Sequence, residues 1–167
     1  MLLYPDMYLD SIDNLNIKVL REMGFEALIL DIDNTIIEWN IRVPDDRSRR
    51  IIKEAMAVGM KVCLISNGTR NRVSEFAAAL DVSCVYNAGK PRKSPYRRAL
   101  KLLGVSPDKV VAIGDQVFTD ILGGNRLGFY TILVRPISTK ETKWTCFIRR
   151  FERIVLNKYN KNVKKSD

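Results

Sequence analysis

Five short apolar runs punctuate the chain: ALILD (27–31), KVCLIS (61–66), VSCVY (82–86), KVVAIG (109–114) and YTILV (130–134). None alternates apolar with polar residues, so each reads as a strand covered on both faces, the condition of a parallel sheet. The segments between them carry helical periodicity. RSRRIIKEAMAVG places apolar residues at 51, 52, 55 and 56 and stops at Gly59, RNRVSEFAAAL aligns Val73, Phe76, Ala77 and Leu80, and SPYRRALKLLG closes at Gly104. A further helix is expected near TDILGGNRLG. Parallel neighbours need such crossovers, and the alternation predicts a parallel α/β sheet of about five strands with helices on both faces. At 167 residues the chain reads as one domain. Its core is expected over residues 1–135, N-terminal extension included, with residues 136–167 as a basic amphipathic helix and tail of the same domain.

The polar residues fall at one edge of that frame. Asp31 and Asp33 end the first strand, Ser66 and Asn67 the second and Asp115 the fourth; Lys90 follows the third, and Asp120 lies five residues beyond Asp115. Open α/β sheets bind ligands outside the carboxyl ends of their strands, so three strands deliver these groups to one crevice. A buried carboxylate is costly unless it is paired or holds a metal. Oxygen-only ligands favour Mg²⁺, which completes its shell with water and substrate phosphate. A carboxylate can also attack phosphorus and form an aspartyl-phosphate. Residues i and i+2 of an extended segment share a face, so Asp31 and Asp33 can reach one phosphate, one as nucleophile and one as acid/base. Ser66, Asn67, Lys90 and backbone N–H groups would stabilise the transferring phosphoryl group. Lys93 is a rival to Lys90, which is preferred because it sits nearer the strand and precedes Pro91. Two features also have plain structural readings: Asp120 as a helix N-cap, and the glycines at 123, 124 and 128 as sites of close helix–sheet packing.

The absence of histidine removes Ser-His-Asp and Cys-His chemistry together with His-ligated metals. Cys63, Cys84 and Cys146 match no zinc or redox spacing, and the first two sit in apolar runs as packing residues. No stretch approaches the roughly 18 consecutive apolar residues of a membrane span. The opening MLLYPDMYLDSIDN carries three acids and no positive residue, a poor secretion leader, so a reducing, cytoplasmic setting is expected.

DIDNT (31–35), ISN (65–67), GKP (89–91) and GDQVFTD (114–120) resemble, in order, the four motifs of the haloacid dehalogenase (HAD) superfamily of phosphatases. The resemblance covers roughly residues 20–135. It implies a Rossmann-like three-layer sandwich with Asp31 as nucleophile and Asp33 as general acid/base. It implies Mg²⁺ held by Asp31, the Asp33 backbone carbonyl and Asp115, with Asp120 in support, and phosphate contacts from Asn34, Thr35, Ser66, Asn67 and Lys90. LILDIDNTIIEW, GDQVFTDILGGNRLGFYTILV and the basic tail look like the small YqeG-type branch of the capless subclass IIIA, which is similar to phosphatidylglycerophosphate phosphatases. Only 35 residues separate Asp31 from Ser66 and 24 separate Ser66 from Lys90, and core elements consume both intervals. No room is left for a cap domain, so the site is expected to be open to a phosphate on a macromolecule or at a membrane.

The formal charge of +9 is uneven: residues 135–167 carry ten Lys/Arg against three Asp/Glu, the preceding 134 residues eighteen against sixteen. Trp144, Phe147, Ile148, Phe151, Ile154, Val155 and Tyr159 recur at helical spacing, with Arg149, Arg150 and Arg153 largely elsewhere on the wheel. Such a helix either lies in an anionic membrane interface or packs on the sheet or a second subunit. KPRKSPYRRALK (90–101) adds six Lys/Arg beside the expected site. A phosphorylated lipid, phosphatidylglycerophosphate, is therefore the favoured substrate. The alternatives are a phosphatase for nucleotides, nucleic-acid ends or phosphoproteins, and a non-catalytic receiver-like phosphoacceptor. The third strand, VSCVYNAG, lacks the acid a receiver would place there.

Overall fold

The computed structural model describes residues 2–138 together with Phe151, Glu152 and Ile154. Six parallel strands form one sheet: β1 (Met7–Leu9), β2 (Ala27–Leu30), β3 (Lys61–Ile65), β4 (Ser83–Val85), β5 (Val110–Gly114) and β6 (Tyr130–Val134), in the order β1-β6-β5-β2-β3-β4. The expected five strands are present, and β1 is an additional edge strand registered Met7 to Ile132 on β6. Only three residues long and half-buried, it is too short to show a period in the sequence. What holds it is tertiary: the Thr131 N–H donates to Asp6 Oδ2 at 2.7 Å.

Alternate residues of the central strands face opposite layers. On one side Leu28, Leu30, Val62, Leu64, Val111 and Ile113 pack under α1 (Ile17–Glu22), α2 (Asp46–Ala57) and α3 (Arg70–Ala78). On the other, Ala27, Ile29, Cys63, Ile65 and Ala112 meet Tyr96, Ala99 and Leu103 of α4 (Lys93–Leu103). The result is a three-layer α/β/α sandwich, and among the described residues no cap domain interrupts it. A π-helical turn, Val117–Ile121, runs into the short α5 (Leu122–Asn125). Here the paired glycines allow close approach. A Cβ on Gly123 would lie 2.3–2.4 Å from the Tyr96 ring, and one on Gly124 2.7 Å from Thr131 Cγ2. Gly104 ends α4 in the left-handed conformation at φ +63°, where a side chain would be strained.

The chain leaves β2 for β3 on one side and returns across it to β5, so the strand order reverses between β2 and β5. Their carboxyl ends flank the crevice in which sheets of this kind bind ligands. Cys63 is buried and Cys84 half-buried, both as free thiols. Most of the amphipathic helix expected over 144–159, and Cys146, lie outside the described residues. Phe151, Glu152 and Ile154 are helical. No helix among the described residues is long and apolar enough to cross a membrane.

Candidate active site

Asp31 leaves β2 with its N–H on the Ile113 carbonyl of β5 at 2.9 Å. The chain then turns back sharply: the amides of Thr35, Ile36 and Ile37 all point to the Ile32 carbonyl at 3.1–3.3 Å. Asn34 takes the left-handed conformation this needs, φ +60°, which an asparagine tolerates better than most residues. That turn brings Thr35 over the strand ends. Its hydroxyl, fully buried, stands 3.1 Å from Asp31 Oδ2 and 3.3 Å from Asp115 Oδ1.

Asp31, Asp115 and Asp120 are 6, 2 and 4 % exposed, and each offers a carboxylate oxygen within 4.8 Å of the others. Lys90 reaches them from the loop after β4. Its Nζ donates to Asp31 Oδ1 at 2.5 Å and to Asp120 Oδ1 at 2.6 Å, and its own N–H is held by Asn67 Oδ1 at 2.9 Å. Asp120 is positioned by the π-helical turn, where its Oδ2 accepts from the Gln116 N–H at 3.2 Å. It comes so close to β5 only because residue 114 is glycine: a Cβ there would sit 2.3–2.4 Å from Asp120 Cβ, Cγ and Oδ2.

Three buried carboxylates against one buried ammonium leave an excess of two negative charges if all are ionised. Burial pushes the Asp31 carboxyl up to about 7; Lys90 beside it pulls the other way, and Asp120 adds to the rise. Burial also works against the Lys90 charge, but Asp120 and Asp31 outweigh it and hold the ammonium well above the ordinary lysine range. A hard divalent cation fits this site. It would balance the excess charge, and an all-carboxylate donor set is what such ions take.

Asp33 lies apart from that cluster. Arg72, in the first turn of α3, grips it with both terminal nitrogens at 2.8 and 2.5 Å, and the Asn40 N–H donates to its Oδ1 at 2.9 Å. Arg72 is the residue that sequence reasoning missed. The signal was available: two arginines in the first turn of a helix oppose its dipole and need another reason to be there.

Asp31, Asp33, Asn34, Ser66, Asn67 and Lys90 share the wall of one cavity of about 570 Å³ with Arg72, Trp39, Pro91, Gln116, Phe118 and Thr119. Ser66 Oγ accepts from the Gly68 N–H at 3.0 Å, and Asn34 Oδ1 accepts from the Ser138 hydroxyl at 3.1 Å. Thr35, Asp115 and Asp120 stand behind that wall, with their contacts to Asp31 and Lys90. Lys93 is exposed at the start of α4 and is not part of the cavity.

The family model for haloacid dehalogenase-like hydrolases matches residues 12–128. Probable phosphatase YqeG of Bacillus subtilis is 35 % identical over 153 residues, covering 92 % of this chain and 89 % of that protein. A phosphatidylglycerophosphate phosphatase 1 of Arabidopsis thaliana is 25 % identical over 165 residues, and there the chain spans about half of the relative, 47 % of its length. Among solved structures, an uncharacterized protein from Listeria monocytogenes superposes with a TM-score of 0.58 at 14 % identity, over 71 % of this chain and 85 % of that one. That likeness shows the same fold. The chain belongs to the haloacid dehalogenase-like hydrolases and is a phosphatase of that type.

Proposed function

We propose that the protein is a Mg²⁺-dependent phosphomonoesterase that works through an aspartyl-phosphate on Asp31, with phosphatidylglycerophosphate as its substrate. The observation that carries the chemistry is the placement of Asp31. It faces the cavity, yet its carboxylate is held by Lys90 at 2.5 Å and Thr35 at 3.1 Å, so it is oriented rather than solvated. The cation, held by Asp31, Asp115, Asp120 and the Asp33 carbonyl, would neutralise phosphate charge so that an anionic nucleophile can approach.

One Asp31 oxygen attacks phosphorus, the ester P–O bond breaks, and the leaving oxygen takes a proton from Asp33. Water then gives a proton to Asp33 and attacks the phosphorus, which frees Asp31 and releases inorganic phosphate. Asp33 must let go of Arg72 for the first transfer, and an incoming phosphoryl group that draws the guanidinium to itself would allow it. Ser66, Asn67 and Lys90 line the space in which the phosphoryl oxygens would lie.

Two facts support the lipid: the similarity to a protein named as a phosphatidylglycerophosphate phosphatase, and an open site with no cap domain among the described residues. The test is phosphate release from phosphatidylglycerophosphate in mixed micelles with Mg²⁺, intact protein against Asp31→Asn. Release that falls by several orders of magnitude in the variant is the expected outcome. Release from an aryl phosphate alone would keep the mechanism and move the substrate to nucleotides, nucleic-acid ends or phosphoproteins.

A further inference from the structure

Two turns carry acids of the site, and the chain beyond β6 is bonded to both. The first follows β2. There Asn34, left-handed at φ +60° and buried in the cavity wall, accepts the Ile137 N–H on its carbonyl at 3.0 Å and the Ser138 hydroxyl on its Oδ1 at 3.1 Å. The second is the π-helical turn Val117–Ile121, which carries Asp120; its Phe118 N–H donates to Glu152 Oε1 at 3.3 Å. Ile137, Ser138 and Glu152 all lie past residue 128, where the match to the hydrolase family model ends.

The π-helical turn needs such a partner. The opening amides of a helix have no acceptor within it and must find one elsewhere. Gln116, at the N-cap, offers them no side-chain oxygen. The Asp120 carboxylate takes the Gln116 N–H at 3.2 Å, but Lys90 holds its other oxygen at 2.6 Å. The Tyr96 hydroxyl fixes another point of the turn by donating to the Thr119 carbonyl at 3.0 Å. Glu152 adds a restraint from 34 residues further along the chain.

The burial of this segment is the reverse of what apolar packing selects. Glu152 is 3 % exposed, while its neighbours Phe151 and Ile154 are 50 and 56 % exposed. Among the described residues of the segment, the acid is therefore the one turned inward. Burying a carboxylate is costly unless it is hydrogen-bonded or paired, and this one is spent on a backbone amide two residues from Asp120. Phe118 also lines the cavity, so the bond reaches the wall of the site itself.

We infer that Glu152 is a positioning residue of the active site: its carboxylate holds the Val117–Ile121 turn so that Asp120 stays in the carboxylate cluster, while Ile137 and Ser138 hold the Asn34 turn. This inference rests on the metal-assisted mechanism proposed above. It makes the segment after β6 part of what sets the site's geometry.

The test uses the full chain, intact and as Glu152→Ala and Glu152→Gln. Glutamine keeps an oxygen for the Phe118 N–H at the same reach and gives up the charge, whereas alanine removes the acceptor. Mg²⁺ affinity is read by titration calorimetry without substrate, and kcat and KM with a soluble aryl phosphate, all well below each protein's Tm. Glu152→Ala is expected to bind Mg²⁺ about tenfold more weakly and to lose about tenfold in kcat at saturating metal, with KM within about twofold. Glu152→Gln should recover most of both. A Glu152→Ala protein with intact Mg²⁺ affinity and kcat overturns the inference. So does a Glu152→Gln protein as impaired as Glu152→Ala, since the bond to Phe118 is then not what acts. Should Glu152→Ala not fold, Glu152→Asp withdraws the oxygen by one methylene: weaker Mg²⁺ binding than in Glu152→Gln supports the inference, and equal binding overturns it. Weakened Mg²⁺ binding beside turnover that survives Asp31→Asn supports the positioning role and defeats the proposed nucleophile. Asp31-dependent turnover that Glu152→Ala leaves untouched does the reverse.

Discussion

Gly114→Ala adds one methyl group at the point where β5 passes the metal-site candidate Asp120. The added carbon would lie 2.3–2.4 Å from three Asp120 atoms, about 1 Å short of ordinary contact at 3.4 Å. Gly114 does not have a left-handed φ, so the backbone accepts alanine and the penalty is steric. Three of those neighbours belong to a side chain pinned by Lys90 at 2.6 Å and by the Gln116 N–H at 3.2 Å. A retreat of about 1 Å takes the lysine contact out of hydrogen-bond range. Overpacking costs about 1–3 kcal/mol, and a lost hydrogen bond to a charged group about 1.5–3 kcal/mol. The two partly substitute for one another, so the sum is about 2–5 kcal/mol, or a Tm lower by about 4–20 °C in a chain of this size. Because Asp120 belongs to the carboxylate cluster, divalent-cation affinity should also fall about 10–100-fold. Thermal melts across a Mg²⁺ titration read both effects. Gly124→Ala is the control: its Cβ meets Thr131 at 2.7 Å and Ala112 at 3.1 Å, so it should lower Tm and leave the metal response intact. A Gly114→Ala protein with the intact protein's Tm and metal response would show that the glycine does not make room for Asp120.

Lys90→Met leaves Asp31 and Asp120 without their shared buried cation; it should cost about 3–5 kcal/mol in denaturant unfolding and abolish phosphatase activity. Arg72→Lys keeps the charge but loses the two-armed grip on a partly exposed Asp33. Turnover should drop about tenfold while Tm stays within a few degrees, measured by steady-state kinetics beside melting. Chelation should stop turnover and lower Tm; restoring metal at a hundredfold over its Kd should return about 2.7 kcal/mol. A calorimetric scan with and without chelator measures this.

The central frame was legible because its signals are local. Uninterrupted apolar runs such as ALIL and VVAI, too short for helices and bounded by polar residues or glycine, read as strands with both faces covered, and Gly59 and Gly104 mark the helix ends before them. The convergence of Asp31, Ser66, Asn67, Lys90 and Asp115 followed from the rule that ligands sit at strand carboxyl ends. What escaped depends on tertiary partners. Strand β1 is defined by its pairing with β6, Arg72 by an acid 39 residues away, and the role of Gly114 by how close Asp120 must come. The 38–46 loop, EWNIRVPDD, mixes apolar and charged residues without a period, and only burial reveals that Trp39, Ile41 and Val43 are the residues left outside.

The most direct measurement is a quench of the intact protein during turnover, with borohydride reduction of any acyl phosphate and mass analysis of the peptide containing residue 31. Substrate-dependent conversion of Asp31 to homoserine is the expected result, absent without substrate or metal. Turnover with no modification, or with modification at another residue, would contradict the assignment of Asp31 as the nucleophile.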